Sequence, residues 1–212
     1  MAEIAAIVLA AGRSSRYLAA GGAEASKLVA DYRGEPLVRG VARAAAGSLA
    51  RPVVVVTGHA RSEVEAALAA LPLTFVHNPD FASGLASSLR TGVAALPPAA
   101  AGAIVLLGDM PGVEARTIDR IVEAFVARPD AFAAAPVFSG RRGNPVLLGR
   151  ALFAAVARLE GDEGARGLLR DAADRVVEIP FDDAAVALDV DTPEDLAAAR
   201  KLLGISGRER LR

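Results

Sequence analysis

The stretch Ala5-Ala6-Ile7-Val8-Leu9-Ala10-Ala11-Gly12-Arg13-Ser14-Ser15-Arg16 runs apolar, without alternation, as far as Leu9. It then breaks into small, hydroxylated and basic residues. A strand with one wet face would alternate; an unbroken Val/Ile/Leu run suits a strand buried on both faces. The same grammar recurs downstream. Residues 52–56 are Pro-Val-Val-Val-Val, stopped by Thr57-Gly58, and the apolar run 103–107 stops at Gly108-Asp109-Met110-Pro111. Helical patterns lie between these strands. Pro36 suits the first turn of a helix reaching about Ser48. From Arg61, the positions Val64, Ala67, Leu68 and Leu71 form one apolar helical stripe.

The remaining elements follow the same logic. Residues 10–26 read as a loop, and 73–76 as a short strand closed by Asn78-Pro79. Ser83 suits the N-cap of a helix ending near Pro97-Pro98. A helix over 115–127 precedes a strand over 132–137. A basic turn, Ser139-Gly140-Arg141-Arg142-Gly143, leads into a strand over 145–148. Helices over 150–159 and 163–171 precede short strands at 176–179 and 186–188. The last helix opens on Thr192-Pro193-Glu194-Asp195, where Thr192 caps, Pro193 takes the first position and Asp195 reaches back. Strands alternating with helices predict an α/β fold with a mainly parallel sheet. One domain is expected over 1–204, followed by a flexible polar tail over 205–212.

Composition narrows the function classes. The chain has 212 residues, 53% of them hydrophobic, and a formal net charge of −1. Aromatics at 4% leave little for stacking single-stranded bases, and the balanced charge lacks a nucleic-acid footprint. No cysteine means no disulfide, thiolate nucleophile or cysteine metal site. His59 and His77, the two histidines, are too few for a histidine-rich metal site. No apolar run approaches the roughly 18 to 20 residues of a membrane span. The start, Met1-Ala2-Glu3, lacks the basic region of a secretory signal, so a cytoplasmic protein is expected.

Ligands of open α/β sheets bind beyond the carboxyl ends of the strands. Four polar clusters fall there or in adjacent loops: the Gly12 loop, the segment 83–90, Asp109 and Asp191. Glycine lets backbone approach a ligand, and Arg13, Arg16 and Lys27 bring positive charge, so the first loop is a candidate phosphate cradle. It is no P-loop, because Ser26-Lys27-Leu28 stands where Gly-Lys-Ser/Thr would be required. Asp109, just past a buried run, is placed for a hard divalent cation, or for bonding its own turn. Asp189 and Asp191, two apart on extended chain, point to one side. Mg²⁺ needs one or two carboxylates plus phosphate oxygens, a set that Asp109 with Asp191 would complete. Helix amides near Gly84 could meet a nucleoside or phosphate. Arg141 and Arg142 are hairpin charges or the grip on an acidic second substrate, which Asn144 could hydrogen-bond.

With these motifs the chain resembles the MobA-like nucleotidyltransferase family, and within it the molybdenum cofactor cytidylyltransferases. The resemblance rests on Leu9-Ala10-Ala11-Gly12-Arg13-Ser14-Ser15-Arg16 with Lys27, and on Gly84-Leu85-Ala86-Ser87-Ser88-Leu89-Arg90. It continues through Leu107-Gly108-Asp109-Met110-Pro111, Arg142-Gly143-Asn144-Pro145-Val146 and Gly161-Asp162-Glu163-Gly164-Ala165-Arg166. It closes on Asp189-Val190-Asp191-Thr192-Pro193-Glu194-Asp195-Leu196. The resemblance implies a Rossmann-like three-layer α/β/α nucleotidyltransferase fold. It implies transfer of CMP from CTP to molybdopterin or the molybdenum cofactor, releasing pyrophosphate, with the product passed to a molybdoenzyme.

Roles follow from the same resemblance. Mg²⁺ or Mn²⁺ would sit on Asp109 and Asp191. Lys27 would hold the α-phosphate, and Arg16 with the amides and Arg13 of the Gly12 loop the β- and γ-phosphates. Leu9, Ala10, Ala11, Gly84 and Ser88 would meet the nucleoside, and Arg142 and Asn144 the acceptor. The chain departs from the family pattern at Tyr17, at a lengthened 18–26 segment, at Ser26 where proline is common, and at Asn144 where histidine is common. Three alternatives stay open: another NTP or acceptor, a cofactor-binding maturation chaperone, and a dinucleotide-binding oxidoreductase. The last lacks G-x-G-x-x-G after its first strand.

Overall fold

A computed structural model describes the backbone of residues 3–209 and the side chains of 3–201. In chain order the first elements are β1 (Ile4–Ala10), α1 (Ser15–Ala19), β2 (Asp31–Tyr32), β3 (Glu35–Pro36), α2 (Leu37–Gly47), β4 (Val53–Thr57), α3 (Arg61–Ala67) and β5 (Thr74–His77). Then come α4 (Leu85–Ala94), β6 (Gly102–Leu107), α5 (Ala115–Val126), β7 (Ala133–Phe138), β8 (Arg141–Arg142) and β9 (Val146–Gly149). The chain closes with α6 (Phe153–Val156), α7 (Ala165–Asp171), β10 (Val176–Pro180) and α8 (Pro193–Glu209). The segment expected as a tail is therefore helical to Glu209, and residues 210–212 lie outside those described.

The main sheet has the order β10-β7-β9-β6-β1-β4-β5, with β8 added to β7. β1 pairs in parallel with both β4 and β6, as two-sided burial demanded. β9 is the exception, antiparallel to both β6 and β7. Alternate residues of the strands feed two cores. Ile4, Ala6 and Val8 of β1 pack with Val38 and Val41 of α2, Val64 of α3 and Ile118 of α5. Ile7 and Leu9 face the other way, onto Leu89 of α4, Val156 of α6 and Leu168 of α7. Helices thus cover both faces, giving one three-layer α/β/α domain. Ile7 has no exposed surface, so truncating it to alanine would cost about 2–5 kcal/mol.

Four local expectations are corrected. Ser83 does not cap α4: its hydroxyl donates to the Asp80 carbonyl at 2.8 Å, and Gly84 precedes the helix instead. The Ala86 amide of that first turn is met from outside, by the Gly161 carbonyl at 3.0 Å. Residues 186–188 form no strand; Ala184–Ala187 is a 3₁₀ turn whose Val186 carbonyl accepts from the Asn144 amide at 2.8 Å. Pro36 lies in β3, one residue ahead of α2. The loop over 10–26 contains α1. The C-terminal helix does open as the residue pattern dictated. The Asp195 carboxylate accepts from the Thr192 amide at 2.9 Å, and the Thr192 hydroxyl accepts from the Asp195 amide at 3.1 Å. These contacts hold the Asp195 carboxyl below its usual value: burial opposes, but the Thr192 hydroxyl and the two amides outweigh it.

Candidate functional site

Two adjoining cavities open beyond the carboxyl ends of β1 and β6 and share Leu9, Leu85, Leu107 and Asp162 as a wall. The first, about 460 Å³, is lined by the Gly12 loop, Lys27, Ser88, Asp109, Asp189 and Asp191 among others. Short contacts between strand ends assemble it. The Gly108 amide donates to the Leu9 carbonyl at 3.0 Å, which brings Asp109 beside the end of β1. The Val190 amide donates to the Asp109 carbonyl at 3.1 Å, which lays residues 189–191 along the same edge. The Asp191 amide donates to the Asp195 carboxylate at 3.1 Å, so the cap of α8 also fixes Asp191.

Lys27 occupies the centre. Its ammonium lies 2.7 Å from Asp109 Oδ2 and 2.9 Å from Asp191 Oδ1. Arg16 completes the cluster on Asp191. Burial alone would lower the Lys27 pKa, but attraction to Asp109 and Asp191 outweighs it and holds the value above that of an ordinary lysine. Desolvation pushes Asp189 the same way, up from its usual value, helped by repulsion from Asp191 and Asp109. Asp109 Oδ1 is buried without a hydrogen-bond partner. A buried acceptor left unmet costs about 1–3 kcal/mol, more when charged. Among the described residues no group of three His, Cys, Asp or Glu side chains is arranged to hold a metal by itself. The donor set is thus two carboxylates with an unmet oxygen, which fits a hard cation that takes its remaining ligands from water and phosphate.

The departures around Lys27 compensate one another. Tyr17, 3% exposed, is buried with Ala30, Leu37 and Leu196. Its hydroxyl donates to Glu24 at 2.6 Å, and burial and then that carboxylate push its pKa up to about 12. Gly22 lies against the ring; a Cβ there would come within 2.0 Å of it. The inserted segment is therefore held on Tyr17 at Gly22 and Glu24. Ser26 is fully buried and its hydroxyl meets the Ser14 hydroxyl at 3.0 Å, while Ser14 also accepts from the Lys27 amide at 3.1 Å. The longer segment is stapled to the loop at the residue before Lys27.

Other expected residues divide. Leu9, Ala11, Gly12, Arg13, Gly84 and Ser88 line the first cavity. Ala10 does not; strand alternation turns it the opposite way, and it packs in the core beneath α2. Gly12 has open space where a Cβ would stand, so the fold itself makes no demand for glycine there. Gly84 differs: its φ is +107° and a Cβ would come within 2.2 Å of the Gly161 carbonyl oxygen.

Arg142 and Asn144 line the second cavity, about 510 Å³, with a floor of Leu85, Leu89, Val105 and Val146. Arg142 is engaged there, donating to Glu178 at 2.7 Å and to the Leu169 carbonyl at 3.1 Å. Residues that sequence reasoning left unassigned also line these walls: Phe81 and Asp189 in the first cavity, Arg166 in the second, and Asp162 in both. Asp162, Arg166 and Asp189 stand within the motifs that carry the family resemblance, which was the signal for them. Phe81 carried none.

The MobA-like NTP transferase domain family matches residues 6–176. Nicotine blue oxidoreductase of Paenarthrobacter nicotinovorans is 32% identical over 200 residues, covering 91% of this chain and 94% of that protein. Molybdenum cofactor cytidylyltransferase of Escherichia coli is 29% identical over 151 residues, covering 70% of this chain and 74% of that enzyme. Rv0371c of Mycobacterium tuberculosis superposes with a TM-score of 0.82 at 30% identity, covering 94% of this chain and 98% of that one. The manganese complex of Rv0371c gives 0.76 at 28%, covering 94% and 99%.

Proposed function

We propose the reaction of this site from one premise: the chain belongs to the MobA-like NTP transferase family and is a nucleotidyltransferase. On that premise it transfers CMP from CTP to molybdopterin or its molybdenum form and releases pyrophosphate. The observation that carries the reading is Lys27 held between Asp109 and Asp191 beside the open Gly12 loop, with Asp109 Oδ1 unmet. Asp109 and Asp191 would hold Mg²⁺ or Mn²⁺, which supplies Lewis-acid charge neutralisation on phosphate oxygens. A relative crystallised with manganese supports a divalent ion.

The chain's own residues then bind and align. Lys27 grips the α-phosphate, and Arg16, Arg13 and the Gly12 loop grip the β- and γ-phosphates. Gly84 and Ser88 with Leu9 and Ala11 receive the nucleoside. Arg142 and Asn144 hold the acceptor in the second cavity, whose apolar floor suits a flat ring. An oxygen of the acceptor phosphate attacks the α-phosphorus, and the bond from that phosphorus to the bridging oxygen breaks, so pyrophosphate leaves. The nucleophile is already anionic, so alignment and charge stabilisation suffice and no general base is required.

Pyrophosphate release tests this. CTP with molybdopterin and Mg²⁺ should turn over, and ATP, GTP and UTP should not. Equal rates with GTP would remove the base assignment. Tight cofactor binding without turnover of any nucleotide would make the chain a maturation chaperone. The relative named as an oxidoreductase covers more of this chain than the cytidylyltransferase does, which favours a second reading. In that reading the first cavity takes a nucleotide cofactor and the second a heteroaromatic substrate. Hydride transfer from a reduced nicotinamide nucleotide to an added heteroaromatic acceptor, oxidising the first and reducing the second by two electrons with no pyrophosphate release, would select it.

A further inference from the structure

Helix α4 carries three hydroxyls near its start, and one behaves differently from the others. Hydroxyls within helices ordinarily turn back to a carbonyl three or four residues earlier. Ser87 donates to the Gly84 carbonyl at 2.9 Å, with the Asp80 carbonyl also at 2.9 Å, and Thr91 donates to the Ser87 carbonyl at 2.9 Å. Ser88 makes no such bond among the described residues. It accepts instead, from Asn78 Nδ2 at 3.0 Å.

The orientation of Asn78 is determined by its surroundings. It is 2% exposed, and its Oδ1 accepts from the Asp80 amide at 3.0 Å, which identifies the oxygen end of the side chain. The two protons of Nδ2 therefore point to Ser87 Oγ, at 2.8 Å, and Ser88 Oγ. The Asn78 amide is tied to the Thr57 carbonyl at the end of β4, at 2.8 Å. Ser88 lines the first cavity with a lone pair occupied from behind and its proton unclaimed.

We infer that Asn78 is a positioning residue that fixes the Ser88 hydroxyl as a hydrogen-bond donor into the first cavity. The nucleoside atom facing Ser88 is then an acceptor. O2 and N3 of cytosine meet that requirement side by side on one edge of the ring; guanine meets it at O6, N7 or N3 but not on its N1–H and N2–H₂ edge, so it would have to seat differently. The inference rests on the first cavity being the nucleotide site.

Asn78→Asp tests the polarity. The Asp80 amide can still donate to the new side chain, but the opposite end becomes an acceptor. That end takes the Ser88 proton and turns a Ser88 lone pair towards the ligand. Calorimetry with CTP, GTP and inorganic tripolyphosphate, each with Mg²⁺, would be run on wild type, Asn78→Asp, Ser88→Ala and the double variant. CTP should weaken about three- to tenfold in each single variant, the size of one hydrogen bond, and no further in the double. Tripolyphosphate should bind all four proteins equally, and the preference for CTP over GTP should shrink.

Ser88→Ala keeps the test decisive if Asn78→Asp fails to fold. Undiminished CTP binding by Ser88→Ala overturns the inference, as do additive losses or equal losses for tripolyphosphate. Wild-type protein that binds neither CTP nor tripolyphosphate overturns the reading of the cavity itself.

Discussion

The two cavities sit side by side and are built on opposite principles. In the first, charges are gathered and cancel one another: Lys27 lies between Asp109 and Asp191, and Arg16 closes on Asp191. In the second, an apolar floor carries a guanidinium rim whose Arg142 is held by Glu178 and the Leu169 carbonyl. A self-neutralised cluster can exchange partners at small electrostatic cost when an anion and a cation arrive together. An apolar floor with fixed charges at its edge selects by shape. The first cavity should therefore govern whether a nucleotide reacts, and the second which acceptor receives it.

Removing the lysine would break this contrast most sharply. Lys27→Met should lower turnover about 10²- to 10³-fold, the usual scale for losing one preorganised charge at a reacting phosphate. It should also change stability against pH in a defined direction. The folded-state pKa of Lys27 is raised, so its contribution is complete below the ordinary lysine value near 10.5 and is lost as pH rises through the folded value. Wild-type melting temperature should fall through that alkaline window, and the variant should lack this component.

Two glycines offer the next test, because they separate ligand space from fold space. Gly84→Ala should destabilise the protein by about 1–3 kcal/mol in chemical denaturation, since φ is +107° and the Gly161 carbonyl is in the way. Gly12→Ala should leave the denaturation midpoint unchanged and weaken CTP, because its Cβ meets nothing of the protein. A Gly12→Ala protein that binds CTP normally would remove the phosphate-cradle role.

What the sequence made legible was local. Unbroken apolar runs located β1, β4 and β6, and with them the strand end that carries Asp109. The Thr-Pro-Glu-Asp pattern specified the start of α8 and hence where Asp191 stands. The positions of Lys27 and Asn78 were hidden for the same reason as each other: both depend on contacts across the chain. The staple between Ser14 and Ser26, and the seating of Gly22 and Glu24 on Tyr17, have no sequence period. Asn78 reads as a strand-ending Asn-Pro until its amide is seen between the two serines. Ser83 misled because a serine before a helix looks like a cap, while the Gly161 carbonyl serves that first turn from a distant loop.

Smaller effects sharpen the comparison from the acceptor side. Arg142→Gln should raise the KM for the acceptor about tenfold and leave CTP affinity unchanged, as steady-state kinetics with each substrate varied would show. An equal loss for CTP would mean the cavities do not act separately. Ser26→Ala removes the bonds to Ser14 and the Leu28 amide and should cost about 1 kcal/mol in denaturant. Turnover should drop only a few-fold, because Asp109 and Asp191 still attract Lys27.

On this reading Asp109 and Asp191, with Lys27 between them, form the metal–triphosphate site. Electron paramagnetic resonance of Mn²⁺, titrated with CTP present, tests it most directly. Wild-type protein should take up manganese when CTP is added, and Asp109→Asn, with its fold verified by circular dichroism, should lose that uptake. Undiminished CTP-dependent manganese binding by Asp109→Asn would contradict the account.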